Sequence, residues 1–256
     1  MAAALPALTI TPLPGLPLVE PGDDLAALIA DGLARAGLVL QTDDALVVTS
    51  KIVSKAEGRI VELGSVAVSA EAERLAGVTG KDARIVELVL RESVAVSRAA
   101  PGVLVTRHRL GFTAANAGVD QSNLAQGDAR ALLLPLDPDA SARALRASLG
   151  ARAGAAPAVV ISDSQGRPFR LGGVGVALGV AGMPALVDLR GQADLFGRAL
   201  KITLQAYADL VASAAQLVSG EAAEGAPVAL VRGLRFPPGE GRASDLYRAP
   251  EHDLYG

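Results

Sequence analysis

The stretch VVISDSQGRPFRLGGVGVALG, residues 159–179, begins as an unbroken apolar run of strand length, turns polar at Asp163 and then carries five glycines between Gly166 and Gly179. So short a run, rich in β-branched residues, reads as a buried strand rather than a helix. The glycines that come next leave the backbone bare, so this segment is expected to make a turn and to let something come close to the main chain. ALVVTS at 45–50 and PVALVRG at 227–233 repeat the buried-strand pattern.

Helical periodicity separates these strands. Asp23 and Asp24 precede LAALIADGLARAG, whose apolar residues recur at three and four positions, which predicts a capped amphipathic helix ending near Gly37. Residues 69–77 and 81–92 are expected to be helical, as is DPDASARALRASLG with Asp137 or Asp139 as its cap. SVAVS and GVLVTRH read as strands around the Ala-Pro-Gly turn at 100–102, and KIVSKAEGRIVEL as a turn with two lysines leading into a strand. From Asp194 to Ser219 most of the chain has helical periodicity, whereas GFTAANAGVDQSNLAQGD fits no regular element. The tail FPPGEGRASDLYRAPEHDLYG is polar and is expected to wrap the surface or fray. The expected fold is therefore mixed α/β, without a linker or repeat, and residues 1–256 are expected to act as a single functional unit.

Composition narrows the chemistry. The chain has no cysteine, which removes disulfides, thiolate nucleophiles and Cys-based metal centres. A formal charge of −3 with scattered Lys and Arg gives no footprint for nucleic acid, so any polyanion must be small and locally held. The opening MAAALPALTITPLPG lacks a basic start and is interrupted by prolines, and the apolar run 171–187 holds five glycines and Pro184. No membrane association and a cytoplasmic location are expected.

Two glycine patterns fail on spacing. In AGVTGKDA, Gly77 lies only three residues before Gly80, and Asp82 stands where a P-loop needs Ser or Thr, so this is a helix end followed by a helix start. GVGVALG, with glycines at 173, 175 and 179, is one residue too long in its spacing for a dinucleotide fingerprint and has no downstream acid in the right context. The expected fold thus has neither a P-loop nor a Rossmann site, and an oxidoreductase would rest on this near miss alone.

A group of polar residues falls where strands end. Asp163 follows AVVIS, Lys51 and Lys55 follow LVVTS, and Asp120 and Asn123 lie in NAGVDQSN, where Gly118 permits unusual dihedrals. Carboxylates on separate rigid elements can converge on a divalent cation, while lysines and loop N–H groups suit phosphate oxygens. Each residue also has a plain structural alternative: a turn cap for Asp163, an Asx-turn for Asp120 and a solvated loop for the two lysines.

These residues lie in segments that together resemble the coenzyme F420 γ-glutamyl ligase family (coenzyme F420-0:L-glutamate ligase). The resemblance runs in order through GLPLVEPGDDLAALI, VVTSKIVSKAEGRIVEL, NAGVDQSN, LLLPLDPDASARALR, VVISDSQGRPFRLGGVGVALG, DLFGRAL and GEAAEGAPVALVRGL, and reaches the GEGRASDLYR tail. It implies a family-specific ligase fold and a GTP-dependent enzyme that adds L-glutamate through its α-amine to the carboxylate of a deazaflavin precursor, then adds further glutamates through γ-links. It implies two divalent ions per site, Mn2+ or Mg2+, a monovalent cation, K+, and a homodimer.

By position, Asp120 and Asp163 match the carboxylates on the first metal, and Ser164 and Glu221 the positions serving the second. Leu16, Pro17, Leu18, Val19, Ser50, Lys51, Lys55, Asn123 and the run Gly220, Glu221, Ala222, Ala223, Glu224, Gly225, Ala226 and Pro227 match nucleotide contacts. No protein nucleophile is implied; Lys55 is the candidate charge stabiliser. Ser164 stands where many relatives carry Thr and keeps the hydroxyl. Arg167 and Arg170 are candidates for acidic substrate groups or phosphates, with structural ion pairs as the alternative, and His108 is either a base or a hydrogen-bonded structural residue. The fused flavin-binding, nitroreductase-like domain of some relatives is not expected in these 256 residues. The rival within the same fold is a nucleotide-binding regulatory module that has lost turnover.

Overall fold

The computed structural model describes residues 7–124 and 129–252. The first six residues of the opening stretch, residues 125–128 of the unassigned segment and the last four of the tail lie outside the described residues. In chain order the elements are β1 (Thr9–Pro12), α1 (Leu25–Arg35), β2 (Ala45–Thr49), α2 (Ser50–Ala56), β3 (Ile60–Glu62), α3 (Ala70–Thr79), α4 (Ala83–Arg91), β4 (Ser93–Ala100), β5 (Val103–His108), β6 (Thr113–Ala115), β7 (Arg130–Leu132), α5 (Pro138–Ala153), β8 (Ala158–Arg167), β9 (Arg170–Ala181), β10 (Val187–Asp188), β11 (Leu204–Gln205), α6 (Tyr207–Ser219) and β12 (Val228–Arg232).

The central sheet has the order β1-β12-β2-β8-β9. β2 and β8 run parallel, with Thr49 opposite Ser162, and the other neighbours are antiparallel. Its three apolar runs are buried on both faces, which is why they do not alternate with polar residues. Leu46, Val48, Val159, Ile161, Val228 and Leu230 pack with Ile29 and Leu33 of α1 and Leu145 and Leu149 of α5. Ala45, Val47, Val160, Ala229 and Val231 point the other way, against Val211, Ala212 and Ala215 of α6. Each fully buried Val, Leu or Ile contributes about 1.5–3 kcal/mol. A second core forms from α3, α4 and β5 around Leu75, Val86, Val89 and Leu104.

Capping agrees with the sequence expectations. Asp24 accepts from the Ala27 N–H at 3.0 Å to start α1, and Asp137, rather than Asp139, caps α5 through the Ala140 N–H at 2.9 Å. Asp139 instead accepts from the Val180 N–H at 2.8 Å and the Ala243 N–H at 3.0 Å, binding the tail to the sheet. Much of the described tail is therefore anchored: Ala243 is buried and Gly241 donates to the Met183 carbonyl at 2.9 Å.

Four expectations are corrected. Residues 50–56, read as a turn, form α2, because Ser50 opens a helix directly at the end of β2. Helix is confined to 207–219 within the periodic stretch 194–219. Before it, the Asp194 carboxylate accepts from the N–H groups of Phe196 and Arg198 at 2.8 and 2.9 Å, and Gly197 takes φ +79°. That local bonding competes with the helix and wins. The strand holding Asp163 does not end there. It continues to Arg167 and turns through Pro168 and Phe169 into β9, so residues 158–181 are one long hairpin. Finally, at two glycines of β9 what comes close is the protein itself: a Cβ on Gly175 would meet the Ala212 carbonyl of α6 at 2.6 Å, and one on Gly179 would overlap the Pro138 carbonyl at the start of α5, whereas Gly172 stays open. β1, unread in the sequence, is a short edge strand beside β12.

Candidate functional site

Parallel strands deliver the residues at their C-terminal ends to the same edge, and here β2 and β8 carry the polar residues to one end of the sheet. Ser50 begins α2 beside the point where Ser162 leads into Asp163. On α2, Lys51 and Lys55 are four residues apart and so share a face. That face looks onto the loop at 120–123. The Lys51 ammonium is bonded to the Asp120 carboxylate and to the Ser122 hydroxyl at 2.9 Å, and the Lys55 ammonium donates to the Asn123 carbonyl at 2.8 Å. Burial and the neighbouring Lys51 charge lower the Lys55 pKa, while Glu20 opposes the shift.

The loop at 116–123 is held in an uncommon shape. Asn116, Ala117 and Gly118 have φ of +52°, +49° and +68°, and Asn123 has +55°. Non-glycine residues adopt this region at a cost of about 1–3 kcal/mol each, met by the surroundings. Ala117 is buried in the second core and Asp120 pairs across to Leu132 through two backbone bonds. Asp120 does make the Asx-turn considered from sequence, accepting the Ser122 N–H at 2.8 Å, and carries its ion pair as well. Lys51 and the Ser122 groups hold its carboxyl below the usual range despite its burial.

Asp163 behaves in the opposite sense. Burial pushes its carboxyl up to about 6, with the Asp120 charge adding to the rise, and the Ser164 backbone amide, the Lys51 charge and the Ser50 hydroxyl pull against it. The turn-cap alternative is excluded by its place inside β8, paired with Val176. Two carboxylates close enough to feel each other, one of them costly to ionise, are an oxygen pair suited to a small hard cation. Among the described residues no group of three or more His, Cys, Asp or Glu is gathered in a metal-holding arrangement, so Glu221 is not assembled with Asp120 and Asp163. Asp120 and Asp163 are the two carboxylates at this edge that a divalent ion could take, the kind of ion that fills its other positions with phosphate oxygens and water.

The remaining segments reach the same edge by pairing. The Thr49 N–H donates to the Pro227 carbonyl at 2.9 Å, which brings the 220–227 loop beside the start of α2, and the Asn123 side-chain amide donates to the Ala222 carbonyl at 3.2 Å. The Leu13 N–H donates to the Val228 carbonyl, so residues 16–19 leave the sheet at this edge too, and the Gly22 N–H meets the Ala56 carbonyl at the end of α2. Val19 is buried and Leu18 is 85% exposed. Glu224 is exposed and folds back on its own loop: its carboxylate accepts from the Ala222 N–H at 2.8 Å, and the N–H groups of that loop together lower its pKa. Ser164 and Glu221 are both exposed, and Ser164 faces Gly173 and Gly175 across the hairpin.

Other candidates lie elsewhere. Arg167 and Arg170 face each other at the hairpin end, four residues beyond Asp163 or about 13 Å along the strand, and Arg167 donates to the Leu171 carbonyl at 3.1 Å. His108 is fully buried in β5, accepts from the Leu110 N–H at 3.0 Å and stacks on Phe112 with ring centres 4.9 Å apart, the structural role rather than that of a base. Beside it, His108, Arg109 and Arg59 hold the Glu92 carboxyl down at about 2, against the effect of burial. No helix among the described residues is long and apolar enough to cross a membrane.

Known proteins carry a similar sequence. Residues 15–233 match the model of the family described as F420-0:Gamma-glutamyl ligase. The chain is 46% identical to the coenzyme F420:L-glutamate ligase of Methanopyrus kandleri, over 98% of each chain. It is 45% identical to the protein of that name from Methanothermobacter thermautotrophicus, over 94% of this chain and 96% of the relative. With that from Haloarcula marismortui it shares 44% identity over 94% of this chain and 92% of the relative. The family match spans the whole edge from Leu16 to Pro227, and on it the chain belongs to the F420-0:gamma-glutamyl ligase family.

Proposed function

We propose that this protein is a GTP-dependent ligase that adds L-glutamate successively to the deazaflavin precursor of coenzyme F420. The observation that carries the reading is the convergence at one sheet edge of Lys51, Lys55, Asp120, Asn123, Asp163 and the 16–19 and 220–227 segments. The relatives' shared name supplies the substrates.

The reaction divides into two balanced steps. The precursor carboxylate attacks the γ-phosphorus of GTP, forming an acyl phosphate as the bond to the β-phosphate oxygen breaks and GDP leaves. The glutamate amine then attacks the acyl carbon. A C–N bond forms, the C–O bond to phosphate breaks, and the amine proton passes to solvent. Phosphoryl transfer demands positioning and charge compensation more than covalent help from the protein. Lys51 and Lys55 supply two cations on one helix face, and the exposed Leu18 offers an apolar surface to the base. Asp120 and Asp163 would hold one divalent ion, Mn2+ or Mg2+, which supplies neutralisation of triphosphate charge when bound. Ser164 and Glu221, exposed near the same edge, are the remaining oxygens for a second.

Leu195, Phe196 and Ile202 are 99%, 86% and 87% exposed on the arm between β9 and α6. Large apolar side chains grouped on an arm favour burial against a second copy, which supports a homodimer. The deciding experiment incubates the purified protein with GTP, Mn2+, L-glutamate and the precursor, and monitors product mass and phosphate release. One GDP and one phosphate per glutamyl group added is expected; glutamyl addition driven by ATP but not GTP, or none, refutes the reading.

A further inference from the structure

Next to Asp120 lies a cavity of about 350 Å³ bounded by Lys81, Asp82, Ile85, Asn116, Val119 and Gln121, with no residue of α2 in its lining. Its size is that of a small-molecule site. It separates the α3–α4 junction from the strained loop and shares Asp120 with the nucleotide edge, so a molecule seated in it would lie beside the proposed phosphate position.

The charges around the cavity are already committed, with one exception. Asp82 is occupied by the Arg84 guanidinium, and Asp120 by Lys51 and Ser122. Lys81 makes no ion pair among the described residues, although it is half-buried at the cavity wall. The Asn116 side-chain oxygen is buried without a hydrogen-bond partner. Leaving such an acceptor unmet costs about 1–3 kcal/mol, and here it comes on a residue that also bears positive-φ strain. Gln121, also on the wall, gives its amide N–H to the Arg130 carbonyl at 3.4 Å. Ile85 and Val119 close the wall with apolar surface. The cavity is thus lined by one uncommitted ammonium, two side-chain amides and a short apolar wall.

We propose that this cavity seats the incoming acidic amino acid, with the Lys81 ammonium holding its side-chain carboxylate and the Asn116 and Gln121 amide oxygens accepting from its amine. The assignment rests on the ligase reading for the reaction, but concerns a site no segment of the nucleotide edge supplies. It makes Lys81 the residue that distinguishes glutamate from glutamine: a neutral side-chain amide cannot replace a charge-assisted bond to an ammonium. The amine, held by acceptors rather than cations, is directed toward the Asp120 side, where the acyl phosphate would form.

The test uses the full chain carrying Lys81→Met or Lys81→Arg, neither of which removes a core contact. L-Glutamate binding is measured by calorimetry with a non-hydrolysable GTP analogue and precursor present, and KM values for glutamate, glutamine and GTP are measured in turnover. Loss of one charge-assisted bond predicts glutamate affinity weaker by about ten- to hundredfold in Lys81→Met, with the preference over glutamine lost. The KM for GTP should be unmoved and Lys81→Arg should recover most of the binding. Unchanged glutamate affinity in Lys81→Met, or a GTP KM that rises in parallel, overturns the proposal even if the protein is an active ligase. Lys81-dependent glutamate binding by a protein that forms no glutamyl product upholds the site and refutes the ligase reading.

Discussion

Replacing Asp163 by Asn separates what a carboxylate does for the fold from what it does for function. Its carboxyl is raised from 3.8 to about 6, chiefly by burial. The folded protein thus binds this proton more tightly than the unfolded chain. Between those two values stability falls as pH rises, and above about 6 the full cost of the charge is present. At about 1.36 kcal/mol per pH unit that cost is at most about 3 kcal/mol, and roughly half of it survives screening because the side chain is partly exposed. Asp163→Asn removes the charge with little change of shape. At pH 8, without divalent ions, the variant should therefore melt higher than the parent, by about 3–6 °C at the usual 2–4 °C per kcal/mol for a chain of this size. The gain should vanish near pH 4. Added Mn2+ should raise the melting temperature of the parent and not of the variant, and glutamyl transfer should fall by orders of magnitude. Thermal melts at both pH values with and without Mn2+ read the stability effects, and a turnover assay reads the last. A variant that melts lower than the parent at pH 8, or keeps near-normal turnover at saturating Mn2+, refutes the argument that the Asp163 charge is held at a cost for use by a cation.

Three other outcomes are expected. Lys55→Ala, which deletes a half-buried ammonium from the α2 face, should weaken GTP binding about tenfold or more in calorimetry, and added salt should reduce the difference between the proteins; equal affinities would remove Lys55 from the site. Gly173→Leu should shorten the glutamate tail before it abolishes the first addition, because a Cβ there already meets the Ser164 hydroxyl at 2.9 Å; mass spectra showing unchanged tail lengths would place the growing product elsewhere. Phe196→Asp puts a charge on the exposed arm and should convert a dimer to monomer in light scattering, whereas a parent protein that is already monomeric would end the dimer proposal.

The elements most legible in the sequence were those whose chemistry is local. The apolar runs at 45–48, 158–161 and 228–231 specify buried strands because neither face carries a polar side chain, and Asp24 and Asp137 announce helix starts because their carboxylates meet N–H groups three residues on. Asp163, Asp120, Lys51 and Lys55 were readable as candidates through residue type and resemblance. What those residues do to one another was decided only by the tertiary structure. Lys51 meets Asp120 across 69 residues because a helix begins where β2 ends and a strained loop is pinned to β7. The glycines of β9 illustrate the same limit: bare backbone in sequence says only that something comes close, and the fold shows that at Gly175 and Gly179 it is α6 and the start of α5. The helical period at 194–206 lost to an Asp194 turn, and Lys81, part of a failed P-loop spacing in the sequence, gained its place through the cavity beside Asp120. Periodicity and capping act between residues a few positions apart, so one chain carries them; cavities, shared charge and close helix contacts are sums over distant segments, and they exist only once the sheet has brought those segments to one edge.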